Sequence, residues 1–517
     1  MFKKHTKKIF LAFGLILIIS NVFFQQKLAY ERYQSFDELK HIKAANIKFY
    51  DNWLSKKTLN FVEFIKIEIK KINNETVGDT RIKRDEDSFF IRNHHGILPI
   101  LYLSFFEDGK FKNSSTSENK KSNTVLLIFF SILLFFIISD IFNKKYTIGF
   151  LITGIIISNQ WFVDTFIQFN FHLFLGLFLT LSIYFIHKFH ISKKIKFLYF
   201  YSIVSALSLL TLETSIFFIF LFSIPVLYLY KIKFKEFLLF FTIFILTIAF
   251  VNPGMFISGD IMKSIFMLIY KTLIKKTDLY SSVDFSVLLQ LLKDNILFIS
   301  FLFFYLLFNF KKNNKLSTLF ILTGLLYIII LIPNIFSYTY LFPAILCITL
   351  GIVIFTKNNI KNEKKFFIYL IILFIISQIN FGTQNYNNFN NKHSYFEKQD
   401  WYENTLMVGD DIITINQFIE KRKKINNKIT AYVDFSVFFE YFVKDLNVKE
   451  IHIENQSLVI TNNYEKNKFE NFNDIKDIEI IILQRRISII HPDINLKLRK
   501  IFKYKLINNF EIYYKDT

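Results

Sequence analysis

Residues 124–145 read TVLLIFFSILLFFIISDIFNKK. Crossing the hydrocarbon of a bilayer takes about 20 mostly apolar residues, and this run supplies them up to residue 142. Lys144 and Lys145 close it. Lysines gathered behind a span mark the end that stays on the cytoplasmic side. The unit of an apolar run followed by lysines recurs along the chain, so its reading decides the fold class. It predicts a polytopic α-helical membrane protein.

Working outward, eleven apolar runs are read as spans, at 9–25, 124–142, 147–163, 170–187, 196–212, 214–230, 237–252, 286–310, 316–333, 339–356 and 366–382. Lys3, Lys4, Lys7 and Lys8 precede the first and hold the N-terminus in the cytoplasm. Lysines then follow every second span: Lys144, then Lys188 and Lys193, then Lys231 and Lys233, then Lys311 and Lys312, then Lys357 and Lys361. The short loops after spans three, five and nine carry neither Lys nor Arg. A miscounted helix would break this alternation. The first run is read as an uncleaved anchor, because no small-x-small cleavage site follows it. The division expected is a signal-anchor helix at 1–25, an extracytoplasmic first loop at 26–123, a membrane domain at 124–382 and an extracytoplasmic α/β domain at 383–517.

Composition narrows the function classes. Hydrophobic residues make up 52% of the 517 and charged residues 20%, a membrane balance. The net charge of +21 does not point to nucleic acid, because the lysines are dispersed between apolar runs instead of forming a patch. Abundant Phe, Ile, Lys and Asn match an AT-rich genome, so the aromatic count says little about a ligand, and a bacterial inner membrane is the expected location. The single Cys347 excludes an intrachain disulfide and a cysteine metal site.

The soluble parts read differently. Apolar residues at helical spacing across 36–72 (Phe36, Leu39, Ile42) suggest amphipathic helices, on the membrane surface or in a small loop domain. The polar stretch 112–123 and the Asn-rich stretch 383–400 read as linkers. Beyond residue 410, strands are expected at 429–434, 448–454 and 478–483, a helix near 437–446, and a hairpin over 503–514. Neither a GxGxxG nor a Walker loop is present, which argues against a nucleotide site.

Chemistry-bearing residues cluster at the expected outer ends of spans. The densest stretch runs Arg84-Asp85-Glu86-Asp87-Ser88-Phe89-Phe90-Ile91-Arg92-Asn93-His94-His95. A carboxylate near the low-dielectric interface gains basicity by desolvation, which suits a general base, and Arg92 can hold a phosphate. A solvated acidic turn is the plainer alternative. His94 and His95 are neighbours that point to opposite faces of a strand, so they suit a carboxylate or phosphate better than one shared metal. Asp164 and Glu213 each lie in a span connection free of Lys and Arg, as candidate substrate contacts or as ordinary cap residues. Lys263 follows the helix-breaking Asn252-Pro253-Gly254 and can meet a phosphate or only water.

In their order, these motifs resemble the GT-C superfamily of membrane glycosyltransferases, closest to the protein mannosyltransferase and lipid A aminoarabinose transferase type. An Asp-Glu pair in the first outer loop matches Asp85-Glu86, and the stretch that usually follows it is similar to His95-Gly96-Ile97-Leu98-Pro99-Ile100-Leu101-Tyr102. The late helix start of that family resembles Thr339-Tyr340-Leu341-Phe342-Pro343-Ala344, with Thr339 where the family usually has Arg. The family's second acid has no counterpart at its aligned place, where Asn170 and His172 stand.

The resemblance implies an inverting transferase that moves a sugar from a polyprenyl-phosphate donor to a lipid, glycan or protein acceptor in cell-envelope glycan assembly. It implies Asp85 and Glu86 as catalytic residues. Arg92, His94, His95, Asp164, Glu213, Lys263 and Tyr340 become substrate contacts, and membrane lipids are partners. No cofactor is assigned, and a divalent metal stays open. Two other classes remain: a lipid-linked glycan polymerase or ligase, and a transporter or flippase, for which Lys293 and Asp294 inside span eight would be the relevant residues.

Overall fold

The computed structural model describes residues 11–12, 14–22, 34–35, 66, 82–85, 88–92, 97–105, 116–166, 171–253, 315–331, 338–360, 362–390, 406–407, 415, 417–422, 430–434, 447–454, 457–462, 465–468, 478–484, 492–507 and 510–515. The sequence readings for 36–72, 286–310 and 437–446, and the positions of Glu86, His94, His95 and Lys263, lie outside these, apart from a single helical residue at 66.

The helices are α1 (Leu98–Ser104), α2 (Thr116–Ile141), α3 (Tyr146–Ile157), α4 (Gln160–Phe166), α5 (Phe171–Ser192), α6 (Lys196–Leu209), α7 (Ser215–Leu229), α8 (Phe234–Val251), α9 (Lys315–Leu331), α10 (Tyr338–Asn359) and α11 (Glu363–Asn390). Residues 14–22 are also helical. Among the described residues, five helices are long and apolar enough to cross a membrane, within α2, α5, α8, α10 and α11. The rest of the bundle is made of shorter apolar helices, at Tyr146–Ile157, Lys196–Leu209, Ser215–Leu229 and Lys315–Ile329.

Three sequence readings need correction. The span expected over 147–163 ends at Ile157, turns at Ser158-Asn159 and restarts as α4. The Ser158 hydroxyl donates to the Gly154 carbonyl at 2.7 Å, which helps to close α3. Asp164 therefore sits on a short helix and not in a loop. The expected linker 112–123 is helical from Thr116, and Asn123, buried, donates its side-chain amide to the Phe166 carbonyl. The Asn-rich stretch after 383 continues α11 to Asn390. Polar composition suggests a linker only when nothing packs on it.

Among the described residues, the connections after α2, α5 and α7 are tight lysine turns. Asn143 (φ 57°), Lys144 (φ 63°), Lys193 (φ 56°) and Lys231 (φ 49°) hold the left-handed conformation that glycine usually fills at a helix C-terminus. At the opposite end stand the turn Ser158-Asn159 and the turn from Leu210 to Thr214. Helix α9 packs tightly along α10, where a Cβ on Gly324 would lie 2.7 Å from the Ala344 carbonyl. Helices α8 and α11 are mostly uncovered by protein, with Phe241, Leu246, Phe250, Ile372 and Ile379 exposed, as lipid-facing helices require.

The tail carries a seven-stranded mixed sheet. Its strands are β5 (Thr430–Asp434), β6 (Asn447–Glu454), β7 (Ser457–Asn462), β8 (Glu465–Lys468), β9 (Ile480–Gln484), β10 (Lys503–Ile507) and β11 (Phe510–Tyr514), in the order β10-β11-β9-β5-β6-β7-β8. Strand β5 runs parallel to β6 and β9, and the other pairings are antiparallel. Ile480, Ile481, Ile482 and Leu483 are all buried, so β9 is covered on both faces. Helix α12 (Pro492–Ile501) contributes Ile494 and Leu498 to a core with Ile481, Leu483 and Tyr513. Lysines at both edges, Lys503 and Lys505 on β10 and Lys466 and Lys468 on β8, oppose pairing with another chain. Two small ladders complete the sheets. Strands β2 (Ile82–Asp85) and β3 (Ser88–Arg92) form a hairpin, and β1 (Gln34–Ser35) pairs antiparallel with β4 (Leu406–Met407). The last ladder ties the first loop to the tail.

Candidate functional site

The acidic motif folds as the β2–β3 hairpin. Ile82 pairs with Arg92 and Lys83 with Ile91; a bulge follows, and Asp85 pairs with Ser88 at the closing end. Asp85 therefore lies at the tip and Arg92 at the base. Arg92 lies five positions before Ile97, a reach of at most about 18 Å, so the hairpin base is tethered close to α1.

Helix α1 is anchored to the bundle end opposite the lysine turns. Pro99 stands in its first turn, where a missing N–H costs nothing. The Leu98 N–H donates to the Leu210 carbonyl at 3.1 Å, joining α1 to the α6–α7 turn that holds Glu213. Leu98 also packs on the cluster of Ala206, Leu209, Leu210 and Ile248. Tyr102 meets the Phe174 ring edge-on, with centroids 5.1 Å apart, and its hydroxyl donates to the Ser122 carbonyl at 2.7 Å. Burial holds the Tyr102 phenol well above the usual tyrosine range, so it stays a donor.

Helix α4 carries Asp164 to the same end. Its Trp161, Phe162, Val163, Thr165 and Phe166 are buried. Phe342, near the start of α10, lies 5.5 Å from Trp161, 5.7 Å from Phe162 and 5.8 Å from Phe166 between ring centroids, with Phe130 of α2 beside them. Gly176 of α5 makes room for that ring: a Cβ there would stand 2.2 Å from Phe342 Cε1. Tyr340 lies two residues before Phe342 on the same helix. His172 is buried in the first turn of α5. The helices that bear Asp164, Tyr340 and His172, the Glu213 turn and α1 behind the acidic hairpin thus gather at one end.

The lysine end holds different chemistry. Asp140 pairs with Lys188 and accepts from the Tyr184 hydroxyl at 2.9 Å, joining α2 to α5. His190 is hydrogen-bonded to Tyr230, and Lys193 lies over the Tyr230 ring at 4.3 Å. These contacts lock helices together. They involve none of the candidate site residues.

Some polar groups at the far end were invisible to sequence reasoning. The Trp161 indole N–H is buried without an acceptor among the described residues, and the hydroxyls of Thr214, Ser215 and Tyr327 are buried without a partner there. In the sequence they read as ordinary members of apolar helices. Groups of three or more His, Cys, Asp or Glu that could hold a metal are absent among the described residues.

Comparisons with known proteins follow this geometry. No family model matches the chain, and no curated relative matches by sequence. Among solved structures, the fold is similar to that of ArnT from Cupriavidus metallidurans, determined bound to undecaprenyl phosphate. The TM-score is 0.56 at 8% identity, and the likeness covers 98% of this chain and 97% of that one. ArnT is a lipid A aminoarabinose transferase of the GT-C type. The chain is an integral membrane protein whose fold, over nearly its whole length, is similar to that of ArnT.

Proposed function

We propose that this protein is an inverting glycosyltransferase that moves a sugar from a polyprenyl-phosphate carrier to an extracytoplasmic lipid, glycan or protein acceptor, in the assembly of a cell-envelope glycan. The observation that carries the reading is the full-length likeness in fold to a protein solved with undecaprenyl phosphate. Eleven spans, a cytoplasmic N-terminus, a bacterial inner membrane and an extracytoplasmic tail domain from residue 383 belong to the same proposal. The lysine turns support it, since they alternate with lysine-free connections along the bundle.

In this scheme the carrier lies with its lipid against the bilayer and its phosphate at the end of the bundle reached by α1, α4 and α10. The Asp85 carboxylate takes the proton of the acceptor hydroxyl as that oxygen bonds to the anomeric carbon. The bond from the anomeric carbon to the phosphate oxygen breaks, and the polyprenyl phosphate leaves with the electron pair. One direct displacement inverts the anomeric centre. Glu86 orients the acceptor. Arg92 and Lys263 stabilise the charge on the departing phosphate, in place of the arginine that Thr339 replaces. His94, His95, Asp164, Glu213 and Tyr340 line the donor and acceptor. A divalent cation at the phosphate is the one cofactor that the scheme leaves room for.

Base help of this kind contributes roughly 10²–10⁴-fold to the rate. Asp85→Asn is therefore expected to lower transfer by at least about two orders of magnitude, with normal membrane insertion. The assay follows label from polyprenyl-phosphate sugars into lipid, glycan and protein fractions of membranes. Unchanged transfer in the variant removes the base assignment. Transfer from no donor by the wild type removes the enzyme reading.

A further inference from the structure

We infer that the edge of the tail domain formed by α12 and β10 is a docking face for the anionic lipid headgroups of the membrane that anchors the chain. Such docking is independent of whether the protein transfers a sugar.

Residues 497–505 read KLRKIFKYK, five cations in nine residues, and no acid occurs between Ile494 and Phe510. All five cations are exposed. The fold gathers them along one edge. Strand β10 is the outermost strand of the sheet, and α12 runs back along it. The Asn495 amide donates to the Glu511 carboxylate at 3.3 Å, and Glu511 pairs in register with Leu506. The Arg499 guanidinium lies 3.7 Å from the centre of the Tyr504 ring. Around the strand, Lys505 lies over the Phe418 ring at 5.2 Å and Arg422 over the Tyr514 ring at 4.2 Å. Aromatic faces thus hold three cations in place at this edge.

Carboxylates do not balance this charge. Across 417–422 and 492–507, seven cations stand against Glu420 and Asp493. Asp493 lies in the first turn of α12, where the helix dipole favours it. Glu511 is buried and accepts from the hydroxyls of Tyr513 and Tyr504, so it faces inward.

Protection of a sheet edge needs only a few lysines, as on β8, where Lys466 and Lys468 share the strand with Glu465. It does not account for exposed leucines. Leu496 is 62% exposed and Leu506 43%, and the contact of Asn495 with Glu511 sets them on the same side of the edge. Leucines among an excess of lysines suit an anionic bilayer: the lysines attract the headgroups and the leucines enter the interface. A soluble polyanion would engage the cations and leave the leucines in water. The bilayer is also close at hand, because the chain that leads into the tail leaves it through α11.

The test follows amide hydrogen exchange over residues 496–506 in the full chain, held in nanodiscs of phosphatidylcholine alone or mixed with phosphatidylglycerol. Exchange is expected to be roughly tenfold slower on the anionic discs, since each lysine at such a surface strengthens docking about fivefold. High salt should abolish the difference, and so should the combined substitution Lys500→Gln, Lys503→Gln and Lys505→Gln. Leu496→Ser with Leu506→Ser should reduce it. These side chains are exposed, so exchange in the buried strand β9 should stay the same in every variant and on both discs. Equal exchange on the two discs overturns the docking face. So does slowing that survives in the lysine variant, or slowing that extends to β9, which would report general stabilisation. A serine variant that docks as well as the wild type overturns the membrane as partner, and so does equal slowing on neutral discs given soluble polyphosphate; either result assigns the cations to a soluble polyanion.

Discussion

Gly176 shows how closely one residue can control the candidate site. Its missing side chain leaves room for the Phe342 ring, whose Cε1 would stand 2.2 Å from an added Cβ. Phe342 in turn holds Trp161, Phe162 and Phe166, and so fixes the short helix that carries Asp164. Gly176→Ala is expected to cost about 1–3 kcal/mol through overpacking and to lower transfer by shifting α4. Thermal unfolding in detergent and the transfer assay measure both. Adding Phe342→Leu, which frees volume beside the new methyl, should recover part of the stability; no recovery would place the strain elsewhere. Nothing at position 176 in the sequence signals this, because a glycine in an apolar helix is equally a packing residue or a neutral one. Glu511 is a second case. It is buried in the tail and accepts from the hydroxyls of Tyr513 at 2.7 Å and Tyr504 at 3.2 Å and from the Asn495 amide at 3.3 Å. In the sequence it stands within the hairpin expected over 503–514, where nothing signals a buried carboxylate.

At the scale of elements, the lysine turns join two demands. A helix end in the left-handed conformation favours glycine, and a cytoplasmic connection favours positive charge. Lys231 has φ 49° and is exposed, with the following Ile232 N–H donating to the Leu227 carbonyl at 3.2 Å. A side chain in that conformation costs about 1–2 kcal/mol. Lys231→Gly should therefore stabilise the protein by roughly 1 kcal/mol, whereas Lys231→Ala, which keeps the Cβ, should not. Equal thermal midpoints for the two variants would refute the backbone explanation. The lysines were legible as topology markers, but their backbone conformation was not, because it depends on how the next helix returns. Helix boundaries were legible to within a few residues at the end of α2, at the start of α5 and at both ends of α7. They failed at α4, at the start of α2 and along α11, where polar residues continue or restart a helix because a neighbouring element accepts their hydrogen bonds or packs on them.

At the scale of the molecule, the pairing of Gln34–Ser35 with Leu406–Met407 is decisive. It brings segments more than 370 positions apart into one ladder, with Gln34 opposite Met407 and Ser35 opposite Leu406. A protein carrying Gln34→Cys and Met407→Cys is expected to cross-link with a short bis-maleimide, and both thiols should react with a membrane-impermeant maleimide from the same side. Cys347, buried between α9 and α10, should stay silent. Labelling from opposite sides would break the proposed topology.

The sequence by itself determined the class of protein. Apolar runs of membrane length and lysines behind every second one fix a polytopic helical architecture, since hydrocarbon thickness and the cost of translocating charge act on composition directly. Alternating and continuous apolar patterns likewise placed the tail strands at Thr430–Asp434, Ile480–Gln484 and Phe510–Tyr514. Only the tertiary structure decided which outward residues share an end of the bundle. It seated α1 on the Glu213 turn, fitted Phe342 against Gly176 and turned Tyr327 toward Thr214. Those contacts join residues far apart in the chain, and they depend on the rotation and depth of each helix. Side-chain packing sets these, and a one-dimensional pattern of hydropathy carries no record of them.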